Sequence, residues 1–205
     1  MIIGFEGISC AGKTTLAAAL AAHLGTATVV PCYYHAAPDR RLLPSPTAHD
    51  RDERLAGLDV LLGVESRRRQ LAHEALGKGR TVILDRTVDT LLAHTYAIDH
   101  LYGLDFHDTA REAILQRDPV LPDVTFLLIT PPRLVATRAT RRPGMPPIFH
   151  APDFAEHFNH YFEQALAPRC VRLAGDKTVV YLLDEALTTI ATLIAAGTAT
   201  SKGTL

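Results

Sequence analysis

The 205-residue chain has no tryptophan, two methionines, one asparagine and three cysteines, and each scarcity closes off a class of protein. Cys10, Cys32 and Cys170 form no CxxC pair, and an odd number cannot close a disulfide framework, so a reducing cytoplasm is the expected compartment. The single asparagine, Asn159, sits in a Phe-Asn-His-Tyr run, which leaves no NKxD element of the kind that guanine-nucleotide switches use. Charge of one sign is also missing. With 21 basic and 22 acidic residues the formal charge is -1, and no bulk field favours a nucleic acid or an anionic membrane as partner. The N-terminal Met-Ile-Ile-Gly-Phe-Glu-Gly lacks a basic stretch. Leu16 to Leu24, taken as the most apolar helical run, is too short to cross a bilayer and carries His23. The chain is therefore expected to be neither exported nor membrane-spanning.

What is present suffices for one core. Hydrophobic residues make up 47% and charged residues 21%, and a chain of this length buries roughly 70% of its unfolded surface without cross-links or a structural metal. The expected organisation is one domain over residues 1–196 and a flexible tail over 197–205. Met1 to Phe5 predicts a buried strand, then a glycine-rich turn and a helix from Thr14 to Leu24 that Gly25 ends. Thr28 to Cys32 predicts a second strand leading into a loop with Pro31, Pro38, Pro44 and Pro46. Helical periodicity over about Arg54 to Leu76 sets Leu55, Leu58, Leu61, Leu62, Leu71 and Leu76 to one side. Thr81 to Leu84 reads as a strand, followed by helices over about Asp89 to Leu101 and Asp108 to Arg117. Beyond Pro122-Asp123 come a strand Val124 to Ile129, a helix from Pro131-Pro132 to about Thr140 and an aromatic helix Asp153 to Leu166. A strand Thr178 to Leu183 and a last helix to about Ala196 complete the pattern. Strands alternating with helices predict an α/β fold: a five-stranded, mainly parallel sheet with helices on both faces.

Between the first strand and its helix lies Gly7-Ile-Ser-Cys-Ala-Gly12-Lys13-Thr14, which matches GxxxxGK[ST] at every fixed position in the required strand-to-helix context. Gly7, Ser9, Cys10, Ala11, Gly12 and Thr15 supply a backbone cradle for phosphate oxygens at the helix N-terminus. Lys13 reaches the β and γ phosphates, and Thr14 offers a hydroxyl to Mg²⁺. Asp85-Arg86 follows the third strand, where open α/β sheets bind ligands. Asp85 is a candidate Mg²⁺ ligand with Thr14, and Arg86 a candidate for gripping an acceptor phosphate or the moving phosphoryl group.

Two arginine groups add to this. Arg67, Arg68 and Arg69 are consecutive on a helix and spread around its circumference, so at most two can face a site. Residues 131–150 hold Arg133, Arg138, Arg141 and Arg142 and no acidic residue, whereas residues 91–130 hold two basic and six acidic ones. Arg138 and Arg141 share a helical face, and Pro143-Gly144 follows, as a closing lid requires.

Phe5-Glu6-Gly7 before the loop, Asp85-Arg86, Pro122-Asp123 and the arginine-rich segment together resemble the thymidylate kinase family, whose plan the deoxynucleoside kinases share. The resemblance runs in order over about residues 1–190. It implies the P-loop NTPase fold, ATP as donor with Mg²⁺, a lid over about residues 138–150, and a homodimer as the common assembly. It selects Arg67, through alignment of Glu65-Ser-Arg67, as the arginine on the acceptor phosphate. Arg138, Arg141 and Arg142 become the lid arginines, the first two catalytic and Arg138 and Arg142 on the nucleotide. The chain departs from the family at Ser9, where an aspartate is usual, and at Pro31-Cys-Tyr-Tyr-His35, where Arg-Glu-Pro-Gly is usual. It departs again at Thr87, Thr90, His94 and Thr95, near the acceptor base. Tyr34 and His94 thus stand at acceptor positions.

The expected activity is transfer of the γ-phosphoryl of ATP to a nucleotide-like monophosphate. The alternatives are a kinase for a hydroxyl of a nucleoside or other small metabolite, with His35, Asp39 or Asp89 as base, and a nonenzymatic ATP-binding module.

Overall fold

The computed structural model describes residues 1–200, with side chains described through Ala196. Five strands, β1 (Ile2–Glu6), β2 (Ala27–Val30), β3 (Thr81–Asp85), β4 (Val124–Ile129) and β5 (Cys170–Ala174), form one sheet in the order β2-β3-β1-β4-β5. Every pairing is parallel. The apolar runs of β1, β3 and β4 are buried on both faces, as strands flanked by helices must be. Phe5 stacks on Phe126 across the β1–β4 pair, with ring centroids 5.6 Å apart. From β1 the chain crosses to the edge strand β2, comes back to β3 beside β1, and then passes to β4 and β5 on the other side. This reversal opens a crevice at the carboxyl end of β1.

Around the sheet lie α1 (Lys13–Leu24), a short α2 (Tyr33–Ala36), α3 (Arg51–Gly77), α4 (Asp89–Tyr102), α5 (His107–Leu115), α6 (Pro132–Ala139), α7 (Pro152–Tyr161) and α8 (Val179–Thr200). Helix α3 begins three residues earlier than the periodicity predicts. Asp50 caps it through Glu53 N–H at 2.9 Å. Its buried stripe runs through Leu58, Leu62, Glu65, Arg68, Ala72 and Ala75. Leu55 and Leu71 lie off that stripe and are exposed, contrary to the expected apolar face.

The C-terminal third corrects the sequence reading. Thr178 to Leu183, expected as a strand, caps and opens α8. Leu182, Ala186 and Ile190 are buried at helical spacing, while Val180 and Tyr181 face solvent. The fifth strand is Cys170–Ala174, an edge strand paired only with β4 and carrying an exposed Arg172. Helix α8 also displaces Leu16 to Leu24 as the most apolar helix. Val179–Ala196 has a mean hydropathy of 1.6, long and apolar enough to cross a membrane by composition alone; here it packs along α1 and β5. The expected tail from Gly197 is helical to Thr200, and residues 201–205 lie outside the described residues.

Candidate active site

The crevice at the end of β1 is occupied by the turn between β1 and α1, and its backbone explains the glycines. Gly7 has φ 131° and Gly12 φ 112°, both left-handed. A Cβ on Gly7 would stand 2.6 Å from the carbonyl oxygen of Leu128 in β4. The loop is held from behind: Thr130 Oγ1 donates to Ala11 O at 3.1 Å, and Arg138 Nη1 donates to Cys10 O at 3.1 Å and Ala11 O at 3.0 Å. Lys13 folds over the loop and donates from Nζ to Gly7 O at 2.8 Å and Ile8 O at 2.7 Å. Burial, and next the Arg86 guanidinium, bring its ammonium down to about 7.

Thr14 Oγ1 donates to Asp85 Oδ2 at 2.7 Å. The other carboxylate oxygen, Asp85 Oδ1, is buried with no hydrogen-bond partner among the described residues. A hydroxyl beside an unpaired, buried carboxylate oxygen is a hard-oxygen set suited to Mg²⁺. Arg86, in the left-handed region at φ 71°, reaches across to the loop. Its Nη1 donates to Thr90 Oγ1 at 2.6 Å and Gly7 O at 3.3 Å, and Nη2 to Ser9 Oγ at 3.5 Å. Glu6 fixes this corner, accepting from Thr87 N, Thr87 Oγ1 and Thr90 Oγ1. Burial raises the Glu6 carboxyl, and Arg86 opposes the rise.

From the loop a cavity of about 920 Å³ runs toward α4 and α7. Residues 8–15 line its near end with Asp85, Arg86, Arg138, Arg142 and Lys177. Its far end is mainly apolar, with Leu58, Leu91, Ile98, Phe106, Phe149 and Phe154 beside Arg54, and Tyr34 and His94 on its wall. The half-buried His94 ring stands 5.8 Å from Phe149 and 5.5 Å from Phe154, centroid to centroid, with Nε2 enclosed and unpaired. Burial, then the cations Arg54 and Arg86, bring its imidazole down to about 4, so the ring is neutral at physiological pH. Arg54 pairs with Asp99 at 2.6 Å beside the Phe106 ring. The loop between α2 and α3 closes this end through Leu43, Pro44, Ser45 and Pro46.

Two expected residues are not brought to the cavity. Arg67 is exposed on α3 and absent from the wall, because the inward stripe passes through the next position, Arg68. Arg141 is exposed beyond the end of α6, also off the wall, whereas Arg138 and Arg142 line it. Of the candidate bases, Asp89 is sealed away from the cavity by Tyr161 Oη, Leu166 N and Ala167 N. Asp39 is held by Arg41, whereas His35 does line the cavity, 3.2 Å from Cys32 Sγ. Sequence reading missed Arg54, Phe106, Phe149 and Lys177. Only the aromatic run around Phe154 carried any signal of them.

A sequence model of the thymidylate kinase family matches residues 5–179. The thymidylate kinase of Chlorobium chlorochromatii is 33% identical over 157 residues, 74% of this chain and 69% of that protein. That of Dinoroseobacter shibae is 31% identical over 191 residues, covering 84% and 82%. Among solved structures, thymidylate kinase from Candida albicans superimposes with a TM-score of 0.70 at 19% identity, covering 93% of this chain and 91% of that one. Deoxyadenosine kinase from M. mycoides with bound dATP gives 0.68 at 14% identity, covering 93% and 100%. Structural likeness at such low identity speaks to the fold alone, but the family model runs from β1 to the start of α8 and the two relatives match at 33% and 31% identity, and on these sequence matches the chain belongs to the thymidylate kinase family and is an ATP-dependent phosphotransferase.

Proposed function

We propose that the cavity joins ATP at the loop to a nucleotide-like monophosphate whose base lies at the aromatic end. The observation that carries this reading is the continuous space between Lys13 and His94, cationic at the loop and at its other end mainly aromatic and aliphatic, with Arg54 beside Phe106. Thr14 and Asp85 would hold Mg²⁺, which when bound neutralises charge on the donor phosphates. Lys13 exchanges its two loop carbonyls for phosphate oxygens. An oxygen of the acceptor phosphate attacks the γ phosphorus, the bond to the β-phosphate oxygen breaks, and ADP leaves carrying that oxygen's negative charge. An ionised phosphate acceptor needs no general base, which agrees with the sealed position of Asp89.

Arg86 is placed for the acceptor phosphate and the transferring group, and Arg138 and Arg142 for the donor side, with Lys177. Tyr34 and His94 border the acceptor. ATP and a small phosphate acceptor follow from this assignment, and the proposed cytoplasmic setting is supported by the free Cys10, Cys32 and Cys170. An ADP-release screen with ATP and Mg²⁺ across nucleosides, their monophosphates and unrelated hydroxyl metabolites tests it. Turnover with one or more monophosphates is expected, and turnover confined to hydroxyl acceptors would overturn the assignment.

A further inference from the structure

Arg68 is not on the wall of this cavity, yet it is the largest fully buried side chain among the described residues, with 2% exposure. Its guanidinium lies over the Tyr33 ring, Cζ 4.3 Å from the centroid. Nε donates to Pro31 O at 2.8 Å, Nη1 to Glu65 Oε2, and Nη2 to Asp85 O at 3.5 Å and to Arg86 O. These three carbonyls stand at the carboxyl ends of β2 and β3, where the sheet meets the cavity. Two of them belong to the very residues whose side chains face Thr14 and the phosphate loop.

Arg86 is itself held from both sides. It is a non-glycine residue with φ 71°, a backbone conformation that persists only where surrounding structure imposes it. Its N–H is fixed to Phe5 O at 3.0 Å, and its carbonyl is fixed by Arg68. Burying a guanidinium merely to join elements is a poor device, since an apolar side chain of similar volume is often as stabilising. A planar fork that can hold carbonyls on two strands and a carboxylate together is a good device for fixing geometry.

We propose that Arg68 is a positioning residue for phosphoryl transfer. It locks the Asp85-Arg86 backbone so that the Asp85 carboxylate stays turned to Thr14 and the Arg86 guanidinium to the loop. The proposal rests on the functional assignment above, in which Asp85 takes part in holding Mg²⁺ and Arg86 handles the acceptor phosphate.

Arg68→Lys keeps a charge for Glu65, but a single nitrogen cannot reach both strands. With ATP and an accepted monophosphate, kcat should fall about 30- to 100-fold. In calorimetry without acceptor, the gain in ATP affinity brought by Mg²⁺ should shrink about tenfold, with metal-free ATP affinity within about twofold of wild type. Arg69→Ala is the comparison for plain loss of stability. It removes the ties from α3 to Arg117 O and Asp118 O, and should lower Tm while leaving kcat and the Mg²⁺ effect unchanged. An Arg68→Lys variant that behaves like Arg69→Ala overturns the proposal. Should Arg68→Lys not fold, Glu65→Gln decides. It keeps an oxygen for Arg68 and Tyr33 but removes the counter-charge, and about a 3- to 10-fold loss with the same Mg²⁺ signature is expected. Wild-type behaviour of Glu65→Gln overturns the proposal. Failure of every monophosphate in the wild-type protein would instead sink the functional assignment, and the calorimetric comparison would still test Arg68.

Discussion

Lys13 rests on two carbonyls of its own loop, and its ammonium is held at about 7 by burial and by Arg86. Near pH 8 much of it is therefore neutral before nucleotide arrives, and phosphate oxygens restore the proton. ATP binding at pH 8 should take up close to one proton from solution, readable as a dependence of calorimetric heat on buffer ionisation enthalpy. At pH 6, where Lys13 is already charged, the uptake attributable to it should vanish. Lys13→Ala should abolish the uptake and nearly all ADP release, with Tm close to wild type. His94 offers a test of opposite character. Its folded value of about 4 lies below the ordinary 6.5, so the unfolded chain binds more protons between those limits. Its contribution to stability is full above about 6.5 and is lost as pH falls toward 4. His94→Phe should lose less Tm than wild type between pH 7 and pH 4.5. Equal losses would mean that the ring is not held neutral.

At the scale of elements, α3 meets the proline-bearing loop at Gly57, where a Cβ would stand 2.6 Å from Pro44 Cβ. Alanine there favours the helix by about 1 kcal/mol, but it pushes the loop off the cavity's far end. Gly57→Ala should raise KM for the acceptor several-fold and leave KM for ATP unchanged in steady-state assays. Elements also mark what could be read in advance. The phosphate loop was legible because its function is written in consecutive residues whose backbone conformation the glycines require. Asp85-Arg86 was legible because it ends a continuous apolar strand. The choice among Arg67, Arg68 and Arg69 was not, since the phase of α3 is set by packing on β2 and β3 rather than by its own pattern. The five residues Cys170–Ala174 carry an exposed Arg172 and one strand neighbour, too little alternation to announce an edge strand. The β-branched Val179 and Val180 imitated the missing strand, while the burial of Leu182, Ala186 and Ile190 makes that stretch helical. The acceptor end was least legible, because Arg54, Phe106, Phe149 and Phe154 are gathered from distant parts of the chain.

Across the whole molecule, a net charge of -1 coexists with a cavity lined by Lys13, Arg40, Arg54, Arg86, Arg138, Arg142 and Lys177 against Glu53 and Asp85. Field lines concentrate in such a cleft and draw in anions, and salt screens them. The association rate of ATP should fall steeply with ionic strength, whereas binding of uncharged adenosine should hardly change in the same stopped-flow series. The strand order carries a consequence for how the molecule is made. β1 is made before either of its flanking strands, which begin at residues 81 and 124, and the loop is braced by Leu128, Thr130 and Arg138. A nascent chain that carries the phosphate motif but stops short of residue 124 has only β3 and Arg86 to steady the loop and lacks its bracing from β4 and α6, so nucleotide can assist folding fully only after those elements have emerged.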